Sequence, residues 1–152
     1  MRIEICVVGK LKDFAKIGAQ EYIKMLSKYA DVKLLELKHA KIIDEDQSTV
    51  RQDSQRLLSH LKESDYVILL DEKGEECDSF SFARTLESLV SQHSKVIFVI
   101  GGPFGLDESV KKRADRLLSL SKLTMTHQLA TIVLLEQLFR AFKIIHGERY
   151  HY

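Results

Sequence analysis

Lys95-Val96-Ile97-Phe98-Val99-Ile100-Gly101-Gly102-Pro103-Phe104-Gly105-Leu106 is the stretch on which the fold turns. From Val96 to Ile100 it is apolar without the alternation of a half-solvated strand, so it reads as a strand covered on both faces. Its second half is a glycine-rich turn around the chain's only proline, Pro103. Glycines at the end of a buried strand let a ligand approach backbone groups. Such a turn is a weak functional signal by itself, and the flanking sequence decides its meaning.

Upstream, Arg2 to Val8 reads as a first buried strand that meets a loop at Gly9. Phe14, Ile17, Tyr22, Met25, Leu26 and Tyr29 recur at helical spacing, with Asp13 placed to cap the start. Val32 to Leu37 alternates as a second strand. Lys38 to Gln47 reads as a polar loop, and Val50, Leu57, Leu58 and Leu61 mark another amphipathic helix. Tyr66 to Leu70 is a third strand closed by Asp71-Glu72-Lys73-Gly74, after which Ser79 caps a helix turning Phe82, Ala83, Leu86, Leu89 and Val90 inward. Alternating strands and helices predict an α/β fold: a single-domain parallel sheet spanning residues 1–152, with helices on both faces and right-handed crossovers. Ligands in this class sit at the carboxyl ends of the strands.

Downstream, Leu118 to His127 reads as a short fifth strand running into a loop beside the glycine turn. The final helix, Ala130 to His146, is apolar almost all round. One face covers the sheet and the other needs a partner, most simply a second copy of the chain.

A length of 152 residues suits one domain, and a net charge of +1 with a pI of 7.8 falls short of the basicity that marks a nucleic-acid binder. The densest basic cluster, Lys111-Lys112-Arg113 with Arg116, reads as a solvated helix face. The N-terminus is charged too early for a signal peptide or membrane span, which points to the cytoplasm. Cys6 reads as core and Cys77 as incidental; no CxxC pair exists. His39, His60 and His93 stand apart in polar surroundings, with no metal-ligand spacing, so no metal is expected. A dinucleotide GxGxxG, a P-loop lysine and a GxSxG elbow are all missing. What remains is a crevice between the glycine turn and residues 118–127. Leu70, Leu120, Leu123 and Met125 form its apolar wall, which suits an uncharged heteroaromatic ring such as adenine.

Five collinear segments then carry a resemblance: Ile100-Gly101-Gly102-Pro103 with Gly105-Leu106; Leu118 to Thr124; His127-Gln128-Leu129; Leu134 to Ala141; and Gly147 with Tyr150-His151. Together with Val8 to Lys12 they resemble the SPOUT-class methyltransferases that modify N3 of a pseudouridine in 23S ribosomal RNA of the large subunit. The resemblance implies a C-terminal trefoil knot, an obligate homodimer, S-adenosyl-L-methionine as cofactor and the 70S ribosome or large subunit as partner. By position it implies that Leu70, Gly101, Leu120, Ser121, Lys122, Leu123, Thr124 and Met125 hold the cofactor. His127, Arg140, Tyr150 and His151, with Glu136, then belong to the substrate side. Arg140 would stabilise developing imide charge, and His127 or His151 would orient the base or relay its proton.

The sequence departs from that pattern at Thr126, where a proline is usual, and at Thr131, where an arginine is usual. Phe139, Arg149 and Tyr152 differ as well. Thr126 is expected to loosen the knot loop by giving up a fixed φ, and the loss of charge at positions 131 and 152 to weaken phosphate contacts. Two other readings compete: a knotted RNA-binding dimer that has lost activity, and a flavodoxin-like module for a small ligand.

Overall fold

The structure is a computed structural model, and it describes residues 1–40 and 47–149. Tyr150, His151 and Tyr152, and most of the expected loop after Lys38, lie outside the described residues. Five strands form one sheet: β1 (Arg2–Val8), β2 (Asp31–Leu37), β3 (Tyr66–Glu75), β4 (Lys95–Ile100) and β5 (Arg116–Leu118). All pairings are parallel, in the order β2-β1-β4-β3-β5. The opening stretch thus becomes β4, a central strand whose residues Val96 to Ile100 are all buried.

Alternate residues of β1 and β4 supply two cores. Ile3, Ile5, Val7, Val96, Phe98 and Ile100 face α1 (Asp13–Leu26), α3 (Ser79–Gln92) and α5 (His127–Ile145). Cys6, Ile97 and Val99 face α2 (Gln47–His60) and α4 (Glu108–Arg113), which contribute Leu57 and Val110. Both sheet faces are therefore covered, as an unbroken apolar strand requires. Cys6 is fully buried, and burial pushes its thiol well above the usual range; Cys77 is exposed.

Several boundaries differ from the sequence expectations. Asp13 lies inside the first turn of α1 at φ 46°, so Lys12 holds the cap position without a side-chain bond. The cap of α3 is Asp78, whose carboxylate accepts from the Ser81 N–H at 2.7 Å. Ser79 instead donates its hydroxyl to Gln137 Oε1, also at 2.7 Å. β5 begins at Arg116 because its register is set by β3, and α5 begins at His127 because Thr126 caps it. Along α1 the core is reached by Ala15, Ala19 and Leu26, while Phe14 and Ile17 are 60% and 65% exposed.

β3 does not close at Leu70. It continues to Glu75 through an irregular register, so that both Leu70 and Glu75 pair with Leu118. Gly74 lies so close to β5 that a Cβ there would stand 2.7 Å from the Leu117 carbonyl carbon. Only glycine permits that approach. The Ser119 N–H then donates to Glu75 O at 2.9 Å, tying the end of β5 to β3.

A split candidate active site

Three loops meet at the carboxyl rim of the sheet: 9–12 after β1, 101–107 after β4, and 119–126 between β5 and α5. β1 lies beside β4, so the first two are neighbours. α5 is fastened to the first loop by Gln128. Its amide nitrogen donates to Lys10 O at 2.9 Å and its amide oxygen accepts the Lys12 N–H at 3.0 Å. His127 packs over Gly9, whose φ of 111° and missing Cβ make the space; a Cβ would stand 3.2 Å from His127 Nε2. Gln128 escaped the sequence reading as a site residue, although it sits between His127 and Leu129 in a segment that carried the resemblance.

The expected cofactor residues lie on the carboxyl side of β3, β4 and β5. Gly101 leaves the end of β4, and Leu70 of β3 pairs with Leu118 just before the third loop; Leu70, Leu120, Ser121 and Met125 are half-buried and Leu123 is 80% exposed. Among the described residues, only Ser119 and Leu123 in the 119–125 stretch have partnered backbone N–H groups, with Glu75 O and Ser121 Oγ. Ser119 also carries a buried hydroxyl without a partner. A loop this rich in open donors, beside apolar side chains, suits a ligand with a heteroaromatic ring and a polar edge. Lys122 pairs with Glu76 at 3.5 Å, both exposed, which contributes little.

Of the expected substrate-side residues that are described, His127 packs on Gly9 and Arg140 lies farther along the helix. Arg140 lies on α5 about 20 Å from His127 at 1.5 Å per residue, and its Nη2 donates to Glu136 Oε1 at 2.6 Å. Beyond it, Tyr29 OH and Lys143 Nζ both donate to Glu148 Oε2, at 2.9 and 2.8 Å. That clamp belongs to the opposite rim, where Tyr29 precedes β2. His127 and Arg140 thus stand well apart along α5, His127 against Gly9 and Arg140 against Glu136.

Other expectations change with the geometry. His39, His60 and His93 do not stand alone: His39 Nδ1 faces Asp53 Oδ2 at 2.6 Å, His60 Nε2 faces Glu4 Oε1 at 2.6 Å, and the His93 ring lies 4.6 Å from that of Tyr66. Glu4, Cys6 and His60 place three ligand-type atoms within 4.8 Å of one another, but Lys95 Nζ stands 3.4 Å from the other Glu4 oxygen and supplies the cation. The basic cluster on α4 is only partly a solvated face. Arg113 donates to Lys62 O and Asp65 O, and Lys111 pairs with Asp71 at 3.7 Å.

Thr126 has φ −63°, the value a proline would impose, and its hydroxyl accepts the Leu129 N–H at 3.3 Å, so the loop keeps its entry into α5. Thr131 is fully buried and donates to His127 O at 2.7 Å; it faces the protein interior rather than a phosphate surface.

Residues 1–151 match the family model described as "Predicted SPOUT methyltransferase". The chain belongs to the SPOUT methyltransferase family. Membership implies the trefoil knot and a bound methyl donor. Ribosomal RNA large subunit methyltransferase H of Pseudothermotoga lettingae is 57% identical over the whole of both chains. The protein of that name from Thermotoga maritima is 42% identical, again over both full lengths. A third, from Streptococcus agalactiae, is 41% identical over 99% of each chain. Among the described residues, no helix is long and apolar enough to cross a membrane.

Proposed function

We propose that this chain, as one domain over residues 1–152, is a cytoplasmic, homodimeric, S-adenosyl-L-methionine-dependent methyltransferase. Its substrate is N3 of a pseudouridine in 23S ribosomal RNA, presented by the 70S ribosome or the large subunit. What supports the reading is loop 119–126, whose backbone N–H groups are largely open, in a chain of the SPOUT family. Full-length relatives named for large-subunit ribosomal RNA methylation supply the substrate class. Gly101, Leu70 and residues Leu120 to Met125 hold the cofactor, which when bound supplies an electrophilic methyl group.

The remaining work falls to the chain's own side chains. Pseudouridine N3 carries an imide proton that must leave as the methyl arrives, and no covalent nucleophile is required. Holding the base in line is therefore the larger contribution. Arg140 stabilises the charge that develops on the imide, while His127, with Tyr150 and His151 of the tail, orients the base and takes its proton. Arg140 and the tail start at the far end of α5, so they serve the crevice of a second copy. The dimer supplies that juxtaposition. Exposed Phe14 and Ile17 on α1 and Leu129 on α5 give it an apolar surface to bury.

Incubation of undermethylated large subunits or 70S ribosomes with the protein and labelled S-adenosylmethionine, followed by mass spectrometry of the RNA, tests this reading. One methylated pseudouridine is the expected product. Cofactor binding without any RNA product would overturn the enzymatic reading, and a monomer that binds no S-adenosylmethionine would replace it with a simple ligand module.

A further inference from the structure

α2 buries the wrong residues for an ordinary covering helix. Thr49, Asp53 and Ser54 are buried alongside Leu57, and the Asp53 side chain is only 1% exposed. Burying a carboxylate is costly unless it is paired. Asp53 Oδ1 accepts the Ala40 N–H at 2.8 Å, and Oδ2 lies 2.6 Å from His39 Nδ1, a close polar contact outside hydrogen-bond geometry. The His39 ring in turn closes over Gly102, where a Cβ would stand 3.4 Å from both Cε1 and Nδ1, and stacks on Phe104 with 6.3 Å between centroids. Ser54, the next residue of α2, accepts the Asp107 N–H at 2.9 Å.

The glycine loop is therefore gripped at both ends from one helix. Asp53 acts through His39 on Gly102 and Phe104, and Ser54 acts directly on Asp107, where the loop enters α4. Between these points the Gly105 N–H closes onto Gly102 O at 3.0 Å. None of the three side chains is among the residues assigned to the cofactor, so none is a catalytic residue.

We propose that Asp53, His39 and Ser54 are positioning residues that hold loop 101–107 in its ligand-binding shape before the methyl donor arrives. This rests on the reading of Gly101 as a cofactor contact. A loop freed from the brace samples other shapes, and apparent affinity falls with the fraction that remains competent. Donor affinity should suffer, while turnover at saturating donor should not.

The test is calorimetric binding of S-adenosylmethionine to the full-length wild type and to His39→Ala, His39→Asn, Asp53→Asn and Ser54→Ala. Melting temperatures and methyl-transfer kinetics are measured on each, and Leu26→Ala, a core residue of α1, serves as a control for stability alone. His39→Ala and Asp53→Asn should weaken donor binding about tenfold, as expected if the competent fraction drops to about a tenth, with the saturated rate within about twofold of wild type. His39→Asn keeps a polar nitrogen beside Asp53 and should recover most of the affinity. Equal donor binding by wild type and the brace variants overturns the proposal. So does a loss that merely follows melting temperature, as judged from Leu26→Ala. A wild type that binds no donor overturns the cofactor reading and the brace together.

Discussion

At its first turn α5 meets three loops, among them a stretch whose backbone donors are largely unpartnered. At its last turn it ends in a dense cluster of rings and charges. There Tyr29 stacks on Phe142 at 5.8 Å and 5°, lies 5.0 Å from the His146 ring, and shares Glu148 with Lys143, whose ammonium also sits over the Tyr29 and Phe139 rings. The open end is suited to accept a ligand. The closed end pairs Tyr29 and Lys143 with Glu148. A helix with these two ends can serve a single reaction if each end works on a different protomer's site.

The strongest way to break that contrast is to change the far end and watch the near one. Arg140→Ala should slow single-turnover methylation by about 10²- to 10³-fold, the usual range for a lost charge-stabilising donor, with donor affinity unchanged in calorimetry. A normal rate would remove Arg140 from the mechanism. Next in size is Gly74→Ala, where β3 approaches the backbone of β5 most closely. Its Cβ meets backbone rather than a flexible side chain, so urea denaturation should show a loss of about 1–3 kcal/mol.

Tyr29→Phe keeps the ring and removes the bond to Glu148; a loss of about 1 kcal/mol in the same assay is expected. The smallest effect is on pH. Hydrogen bonds from Lys143 and Tyr29 hold Glu148 below its ordinary value of 4.5. Its contribution is thus complete above 4.5 and disappears as pH falls through the lower folded value. Denaturation midpoints at pH 6 and pH 3.5 should converge more for Glu148→Gln than for wild type.

The strands were legible because buried parallel strands write themselves as apolar runs, and β4 needed nothing else. α1 was harder. Its core face is made of Ala15 and Ala19, with Gly18 admitting Ile132 so closely that a Cβ would lie 2.9 Å from Ile132 Cδ1. Small residues that allow two helices to approach carry little weight in a search for apolar spacing, while the exposed Phe14 and Ile17 carry much. β5 has three residues, too few for periodicity, and exists through its pairing with β3. At the site, Gly101 and residues 120–125 were proposed from the glycine turn and the collinear resemblance. The His39–Asp53 pair was not, because it links a loop to a helix whose polar residues look solvated until the fold buries them. Likewise, the sequence reading left His127 in the loop before the last helix, whereas the structure makes it the first residue of α5, 13 residues before Arg140.

The central claim is that each reaction uses the crevice of one copy and the far end of α5 from the other. A mixed dimer of Gly101→Val, which blocks the crevice, and Arg140→Ala, which removes the charge-stabilising group, tests it directly. Each parent homodimer should be inactive. The mixed dimer retains one crevice facing one intact Arg140 across the two-fold axis, so it should recover about half the wild-type methylation rate per dimer. A mixed dimer as inactive as its parents would contradict the account and place Arg140 with the crevice of its own chain.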